Sequence, residues 1–239
     1  MRIQRIITLA NATMLIAATL LVAGIAVAKS KAAPPARKID PANFRDRVDN
    51  PYFPLVPGTR FVYRETSGAE TRENLVTVLA ETKLILGVTC TVVHDVVRSG
   101  ERIIEDTMDW YAQDLAGNVW YFGEATKEYF PHGRVSDEGS WEAGVGGAEA
   151  GLVMAANPAA GDPYRQEFRK GIAEDMAQVV AVGDVVTVPQ GKLTGCVKTK
   201  DWSMLEAGHE FKWYAKGIGF VRSQSTSKEL VELLSVTRP

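Results

Sequence analysis

The chain has 239 residues with 27 Lys and Arg against 29 Asp and Glu, a formal net charge of −2, and it contains two Cys. This mildly acidic balance argues against nucleic acid as a partner, because nucleic-acid binding requires a basic stripe on the surface. The two Cys form no CxxC pair and no Cys/His cluster, so the sequence predicts no metal site and no cofactor.

The first 28 residues have the three parts of a secretory signal peptide. Arg2 and Arg5 precede an apolar run over residues 6–27, and the sequence AVA ending at Ala28 is the small-x-small pattern that signal peptidases cleave. An uncleaved anchor is the alternative, because the run is close to the ~20 residues that can span a bilayer. We expect cleavage after Ala28 and a periplasmic or secreted protein with no stable membrane span. Loss of the two arginines would change the formal net charge from −2 to −4.

Residues 29–58 form a Pro-rich segment that leads into the folded domain. Pro51, Pro54 and Pro57 exclude a helix here, because proline lacks an amide donor and restricts the residue before it. The aromatic and aliphatic residues between these prolines are expected to lie along the folded body.

Residues 59–239 are predicted to form a single β-rich domain. Segments of β-branched and aromatic residues alternate with Gly-containing turns, and no segment shows ten or more residues of helical periodicity. This spacing predicts an all-β fold, an antiparallel meander of about a dozen strands that forms a barrel or a sandwich. A Gly-rich segment near residues 143–161 breaks the pattern and is expected to be a packed loop, either a lid over a site or a plug at one end.

The stretch DWYAQDLAGNVWYFGE, residues 109–124, is predicted to be a β-hairpin. The sequence DLAGN in its middle suits a three-residue loop, which sets Tyr111 opposite Tyr121. Because successive side chains alternate between the faces of a strand, Trp110 and Trp120 share the other face. The tryptophan face is predicted to be core. The tyrosine face is expected on the solvated side as cross-strand pairs, with a surface that stacks a ligand as the alternative.

Three carboxylates of this hairpin, Asp106, Asp109 and Glu124, are the candidate catalytic residues. In an unbroken register Asp106 and Glu124 would share the apolar face, where two buried carboxylates could hold a cation or act as an acid–base pair. Gly123 lies inside the strand, however, and glycine there often marks a β-bulge. A bulge would set Lys127 opposite Asp106 as a plain ion pair, and this is the arrangement that we expect.

Cys90 and Cys196 both lie in predicted strands, and we expect these strands to be neighbours. In an exported protein two buried cysteines of one domain can form a disulfide. The alternative is that both are free and serve as small apolar residues in separate strands.

Five stretches of the chain carry a family resemblance: NPYFPLVPGTRFVYR, DWYAQDLAGNVWYFGE, SWEAGVGGAEAGLVM, DPYRQEF and HEFKWYAKGIGFVR. Together they resemble a widespread family of exported bacterial β-rich proteins of unknown function, over about residues 45 to 235. The resemblance implies secretion and a single β-rich domain. It carries no established catalytic residues over to this chain.

Two functions are compatible with these observations. The first is a binding or carrier module of the cell envelope, which holds a small molecule or lipid, such as a small apolar ligand or a glycan, inside a small barrel. Its expected ligand-binding residues are the aromatic side chains Trp110, Tyr111, Trp120, Tyr121 and Trp141. The alternative is a hydrolase or lyase that acts on envelope or extracellular polymers through the paired carboxylates named above. The chain has no nucleophile elbow, HExxH motif or P-loop, so we expect binding rather than catalysis, and nothing in it indicates the oligomeric state.

Overall fold

The computed structural model describes residues 38–239 of the chain. The predicted signal peptide and its cleavage site therefore lie outside the described residues. Within residues 38–239, no helix is both long enough and apolar enough to cross a membrane.

The described part of the chain forms two short 3-10 helices and 18 strands. The 3-10 helices are η1 (Pro41–Asn43) and η2 (Pro131–Gly133). The strands of the first half are β1 (Phe44–Arg45), β2 (Val48–Asn50), β3 (Phe53–Leu55), β4 (Arg60–Ser67), β5 (Glu70–Ile85), β6 (Val88–Ser99), β7 (Arg102–Asp114) and β8 (Val119–Tyr129). The strands of the second half are β9 (Val135–Ser136), β10 (Trp141–Glu142), β11 (Glu149–Met154), β12 (Tyr164–Arg165), β13 (Glu167–Phe168), β14 (Asp175–Val188), β15 (Gly191–Ser203), β16 (Glu210–Ala215), β17 (Gly219–Ser225) and β18 (Leu230–Thr237).

Sixteen of these strands form one antiparallel sheet that is nearly closed into a barrel. The order along the sheet is β12-β14-β15-β16-β17-β18-β4-β5-β6-β7-β8-β11-β13, with β1 added to β7 and with β9 and β10 added to β8. The two ends of this path, β12 and β13, are separated in the chain by Gln166 alone. The prediction of an all-β antiparallel meander is confirmed, and the open choice between a barrel and a sandwich resolves to the barrel.

The hairpin β2–β3 forms a separate two-stranded sheet that packs against the inner side of the barrel, and we call it the plug hairpin. The centroid of the Phe53 ring lies 5.2 Å from the ring centroid of Tyr111 on β7 and 6.3 Å from that of Tyr214 on β16. Since β7 and β16 are far apart in the strand order, one ring can touch both only from inside the barrel. Asn50 anchors the hairpin, because its buried amide donates hydrogen bonds to the carbonyls of Gly117 and Ala155.

The segment 143–161 differs from the single packed loop that the sequence predicts. Residues Glu149–Met154 form β11, which pairs with β8 and with β13 and helps to close the barrel. Gly151 makes this pairing possible, because a Cβ at its position would lie 2.3 Å from the backbone of Gln166. A larger residue would push β11 away from the backbone of Gln166.

The predicted pairing of Cys90 and Cys196 is wrong. Both thiols are buried and free. Cys90 lies on β6 and Cys196 on β15, and β16, β17, β18, β4 and β5 lie between these two strands in the sheet. Each cysteine therefore serves as a small core residue, and burial raises the pKa of Cys90 to about 12.

Candidate functional site

A β-bulge at Gly123 decides which side chains of the β7–β8 hairpin share a face. Tyr111 lies opposite Tyr121, but Trp110 lies opposite Gly123 and Asp109 opposite Glu124, so β8 contains one extra residue at this point. Gly123 has φ +130°, a conformation that side chains with a Cβ rarely adopt. The bulge predicted from the sequence is confirmed, and it places Glu124 on the tyrosine face instead of the tryptophan face.

Gly123 also brings strand β10 close to the site. A Cβ at Gly123 would lie 2.2 Å from the carbonyl oxygen of Trp141, so only glycine allows this approach. In the resulting pairing Trp141 lies opposite Glu124. One glycine therefore positions both a carboxylate and an indole ring on the inner face of the barrel.

The hydroxyl of Tyr121 joins the two carboxylates of this face. Its oxygen lies 2.5 Å from Asp109 Oδ1 and 3.1 Å from Glu124 Oε2. A phenol carries one proton and can donate it to one carboxylate at a time. Burial, followed by the negative charges of Asp109 and Glu124, raises the pKa of Tyr121 well above its ordinary value. The hydroxyl of Tyr121 therefore donates to Asp109 or to Glu124 at any one time.

Asp95 on β6 is the third acid of the inner face. It pairs with Thr107 and lies diagonal to Asp109, on the same side of the sheet. Its exposed fraction is 2%, and neither of its carboxylate oxygens accepts a hydrogen bond from any of residues 38–239. Burial, together with the negative charges of Asp109 and Glu105, raises the pKa of Asp95 well above its ordinary value.

Three aromatic rings lie beside these acids. The rings of Tyr111 and Tyr121 are stacked at 4.8 Å, and Trp141 meets Tyr121 edge-on at 5.3 Å. The indole of Trp141 donates a hydrogen bond of 3.0 Å to Glu167, which lies on β13. We call the following six residues the aromatic–acid cluster: Asp95, Asp109, Glu124, Tyr111, Tyr121 and Trp141.

The expectation that the tyrosine face is solvated is wrong. Tyr111 is 2% exposed and Tyr121 is 5% exposed, so both faces of the hairpin are buried. The reason is the closure of the barrel, which turns the tyrosine face toward the interior. Five of the predicted site residues thus come together: Asp109, Glu124, Tyr111, Tyr121 and Trp141.

The remaining predicted site residues, Trp110, Trp120 and Asp106, lie on the opposite face of the same strands. The ammonium of Lys83 lies 3.4 Å from the centre of the Trp110 ring. Trp120 donates a hydrogen bond of 2.9 Å to Asp114. Asp106 contacts Nε2 of His94 at 2.9 Å and lies opposite Lys127. Because successive side chains of a strand alternate between its faces, all three side chains point away from the inside of the barrel.

A second polar group inside the barrel was not predicted from the sequence. Nζ of Lys212 lies 3.0 Å from Asp201 Oδ2 and 3.0 Å from Glu210 Oε1, and Thr199 donates a hydrogen bond of 2.5 Å to Asp201. Burial raises the pKa of Glu210 to about 7 against the opposing charge of Lys212. The hydroxyl of Tyr164 is buried nearby and has no hydrogen-bond partner in the described part of the chain. We call these residues the lysine cluster.

The sequence contains a pattern that could have identified the lysine cluster. In HEFKWYAKG, Glu210, Lys212 and Tyr214 alternate with Phe211 and Trp213. Residues two apart share a face, so a tyrosine shares its face with an acid and a base. The pattern leaves open which face is inner, because both contain aromatic residues.

A small apolar cavity lies between the plug hairpin and the barrel wall. Its volume is about 20 Å³, room for roughly one water molecule. Its lining includes Phe53, Tyr63, Phe220 and Tyr111. Tyr111 also belongs to the aromatic–acid cluster, so its ring connects the cavity to the cluster. Among the described residues, no group of His, Cys, Asp and Glu side chains has the geometry to hold a metal ion.

No protein-family model and no curated protein matches the chain. Among solved structures, the chain is similar to a protein with a YmcC-like fold from Bacteroides fragilis NCTC 9343, classed as exported, at 16% identity and a TM-score of 0.48 over 78% of this chain and 99% of that one. It is also similar to a protein of Parabacteroides distasonis ATCC 8503 that is classed as a lipoprotein, at 13% identity and a TM-score of 0.42 over 78% of this chain and 98% of that one. Both TM-scores lie below 0.5, so neither likeness assigns a function to the chain.

Proposed function

We propose that the protein is an exported binding or carrier module of the cell envelope that holds a small molecule inside its barrel. The observation that carries the proposal is the aromatic–acid cluster on the inner face. Replacing buried charged groups by well-packed apolar ones is often neutral or stabilising, so an interior that served only stability would be apolar at these positions. Acids and tyrosines that converge beside an apolar cavity are typical of a ligand site.

The arrangement favours a ligand with two different ends. The cavity beside Phe53, Tyr63 and Phe220 accepts an apolar group, whereas the acids around Tyr121 accept a polar or charged one. Small barrels commonly hold one ligand in this way. A lipid, a small apolar molecule with a polar end or a glycan meets this requirement.

The second candidate is a hydrolase or lyase that uses Asp109 and Glu124. The observation in its favour is that both carboxylates reach the one hydroxyl of Tyr121. Pairs of Asp and Glu carboxylates are the groups that most glycoside-cleaving enzymes use. Asp106 has no part in this candidate, because it lies on the opposite face of β7 in contact with His94.

Native mass spectrometry tests the binding function directly. The protein is purified from the exported fraction of its host without denaturation, and its mass is compared with that of the same sample after unfolding. We expect an added mass in the folded protein, retained in Asp106→Asn and lost in Asp109→Asn. Folded protein whose mass equals that of the chain alone would refute the binding function.

A further inference from the structure

We infer that the outer face of β15, β16 and β17 binds an anionic glycan, whose acid groups contact lysine and arginine side chains while its sugar rings cover a line of aromatic rings. This site is on the outside of the barrel. The inference therefore goes beyond the proposed function and does not depend on it.

Two rows of side chains cross these three strands on the same face of the sheet. The central strand β16 contributes aromatic rings, and its neighbours contribute cations and an amide. Lys212 lies between the two rings on β16 and contacts its acids inside the barrel. Because successive side chains of a strand alternate between its faces, both rows lie on the outer face. We call the six residues of the two rows the basic–aromatic face. The first row is Lys198, Trp213 and Arg222, and the second is Lys200, Phe211 and Gln224.

The aromatic rings form a continuous line along β16. The ring centroid of Phe211 lies 6.4 Å from that of Trp213 and 5.3 Å from that of His209, which directly precedes the strand. All three side chains are half-buried, so part of each ring reaches the solvent. The indole of Trp213 donates a hydrogen bond of 2.8 Å to Asp184, which fixes the orientation of its ring. Rings held in this way offer electron-rich faces to the polarised C–H groups of a sugar ring.

The cations of the basic–aromatic face lie against these rings. Nζ of Lys198 lies 4.4 Å from the ring centroid of Phe211 and 4.6 Å from that of Trp213. The guanidinium of Arg222 lies 5.7 Å from the centroid of Trp213. Within residues 38–239, no salt bridge joins Lys198, Lys200 or Arg222 to a carboxylate. A cation–π contact leaves the positive charge in place, so these side chains can still bind an anion.

Two acids border the face, and each has a partner. Asp184 accepts the hydrogen bond of the Trp213 indole, and this bond lowers the pKa of its carboxyl. Glu232 on β18 lies opposite Arg222 but contacts Arg64 at 2.9 Å. With Arg64 included, four cations face two acids here, whereas the whole chain has 27 Lys and Arg against 29 Asp and Glu. This part of the surface is therefore positive on a chain that is acidic overall, and it attracts an anionic partner.

The number of charges distinguishes a glycan from other polyanions. Each strand of a nucleic acid carries a phosphate about every 3.4 Å, and its binding requires an extended basic stripe. An anionic membrane is bound by clusters of about four to eight basic residues. The basic–aromatic face has three cations grouped around its rings. An acidic glycan has more widely spaced acid groups, and its sugar rings have an apolar side that can cover the aromatic line, so a short segment of it matches this face.

Isothermal titration calorimetry tests the inference with probes that separate the charges from the sugar rings. Trigalacturonate has both, neutral galactotriose has the rings alone, and triglutamate has the carboxylates alone. A chondroitin sulfate tetrasaccharide tests sulfate as the acid group, and oligothymidylate tests a nucleic acid. We expect the folded protein to bind trigalacturonate or the sulfated tetrasaccharide at least about tenfold more tightly than galactotriose, triglutamate and oligothymidylate. Whichever of the two acidic oligosaccharides binds more tightly identifies the acid group of the ligand.

Two variants remove the two parts of the site separately. Lys200→Gln and Phe211→Ala should each weaken binding of the acidic oligosaccharide at least about fourfold, because one removes a charge contact and the other a ring contact. Lys127→Gln is the matched control, since Lys127 is exposed on β8, far from β16 in the strand order. It should change the affinity by less than about twofold. Far-UV circular dichroism checks that the variants are folded, and Phe211→Leu replaces Phe211→Ala if that variant is not.

Other results overturn the inference. Triglutamate that binds as tightly as the acidic oligosaccharides indicates a simple anion site, and tighter binding of oligothymidylate indicates a nucleic-acid site. Galactotriose that binds equally well removes the role of the charges. Failure of both acidic oligosaccharides to bind, or an affinity that Lys200→Gln and Lys127→Gln change equally, also contradicts the site. None of these results bears on the interior of the barrel, which the native mass measurement tests separately.

Discussion

Asp95 combines a cost to the fold with a proposed role in binding. Burial and the nearby charges of Asp109 and Glu105 raise the pKa of Asp95 in the folded protein above the ordinary 3.8. Below that value both the folded and the unfolded chain carry the proton. As the pH rises above it, the unfolded chain releases the proton first, so the free energy of unfolding falls with rising pH until the raised pKa is passed.

Replacement of Asp95 by Asn should therefore stabilise the ligand-free protein at neutral pH. The variant keeps the shape of the side chain and removes the ionisation that favours the unfolded state. We expect its gain in free energy of unfolding over the wild type to be larger at about pH 7 than at about pH 4, as measured by urea denaturation. Asp106→Asn, in which the lost acid contacts His94, should show no such gain. A gain for Asp95→Asn that is the same at both pH values would contradict the assignment. When a buried group that serves function is removed, the variant is usually more stable but binds less well.

At the scale of secondary-structure elements, the bulge in β8 has the largest consequence. Without the extra residue, Glu124 would point to the face of Trp110, and the hydroxyl of Tyr121 would have one acid instead of two. The bulge depends on Gly123, whose φ of +130° and whose contact with the backbone of β10 both exclude a side chain. The conformation of this one glycine therefore determines that Glu124 lies beside Tyr121 in the interior.

Gly123→Ala should destabilise the protein by about 2 kcal/mol or more, because an unfavourable φ costs about 1–3 kcal/mol and the displacement of β10 adds to it. Gly183→Ala is the matched control, since Gly183 has φ +86° but nothing within 4 Å of the added Cβ. Gly183→Ala should lose only the part of the free energy of unfolding that comes from the unfavourable φ. Urea denaturation of both variants measures the difference, which reports the contact with β10. Equal losses would mean that β10 moves aside at no cost and that Gly123 does not position Trp141.

For the whole molecule, closure of the barrel decides what is inside. It turns the tyrosine face of one hairpin, the polar face of β16 and the plug hairpin toward the same interior. The same strand order keeps Cys90 and Cys196 apart, with five strands of the sheet between β6 and β15. An oxidising environment by itself would therefore not produce a disulfide between these two cysteines.

The folded protein should contain two free thiols. Unfolded without reductant, it should react with two equivalents of a thiol reagent such as 5,5′-dithiobis(2-nitrobenzoate), and reductant should leave its Tm unchanged. In the folded state the reaction should be slow, because both thiols are buried and burial raises the pKa of Cys90 to about 12. An unfolded sample without reactive thiols would show a disulfide and contradict the strand order.

The properties that the sequence by itself determined are local ones. Alternation of polar and apolar residues and the turn chemistry of DLAGN determine the strands, the pairing of Tyr111 with Tyr121 and the bulge at Gly123, because each involves residues that are close in the chain. Only the tertiary structure decided that the tyrosine face is inner, that Asp95 and Trp141 join it, and that Lys212 lies inside with its two acids. A period of two distinguishes the faces of a strand but does not say which face a closed sheet encloses. Which face is enclosed depends on the order of strands that are far apart in sequence. Closure of the barrel then buries acids and tyrosines that the sequence pattern alone would place at the surface.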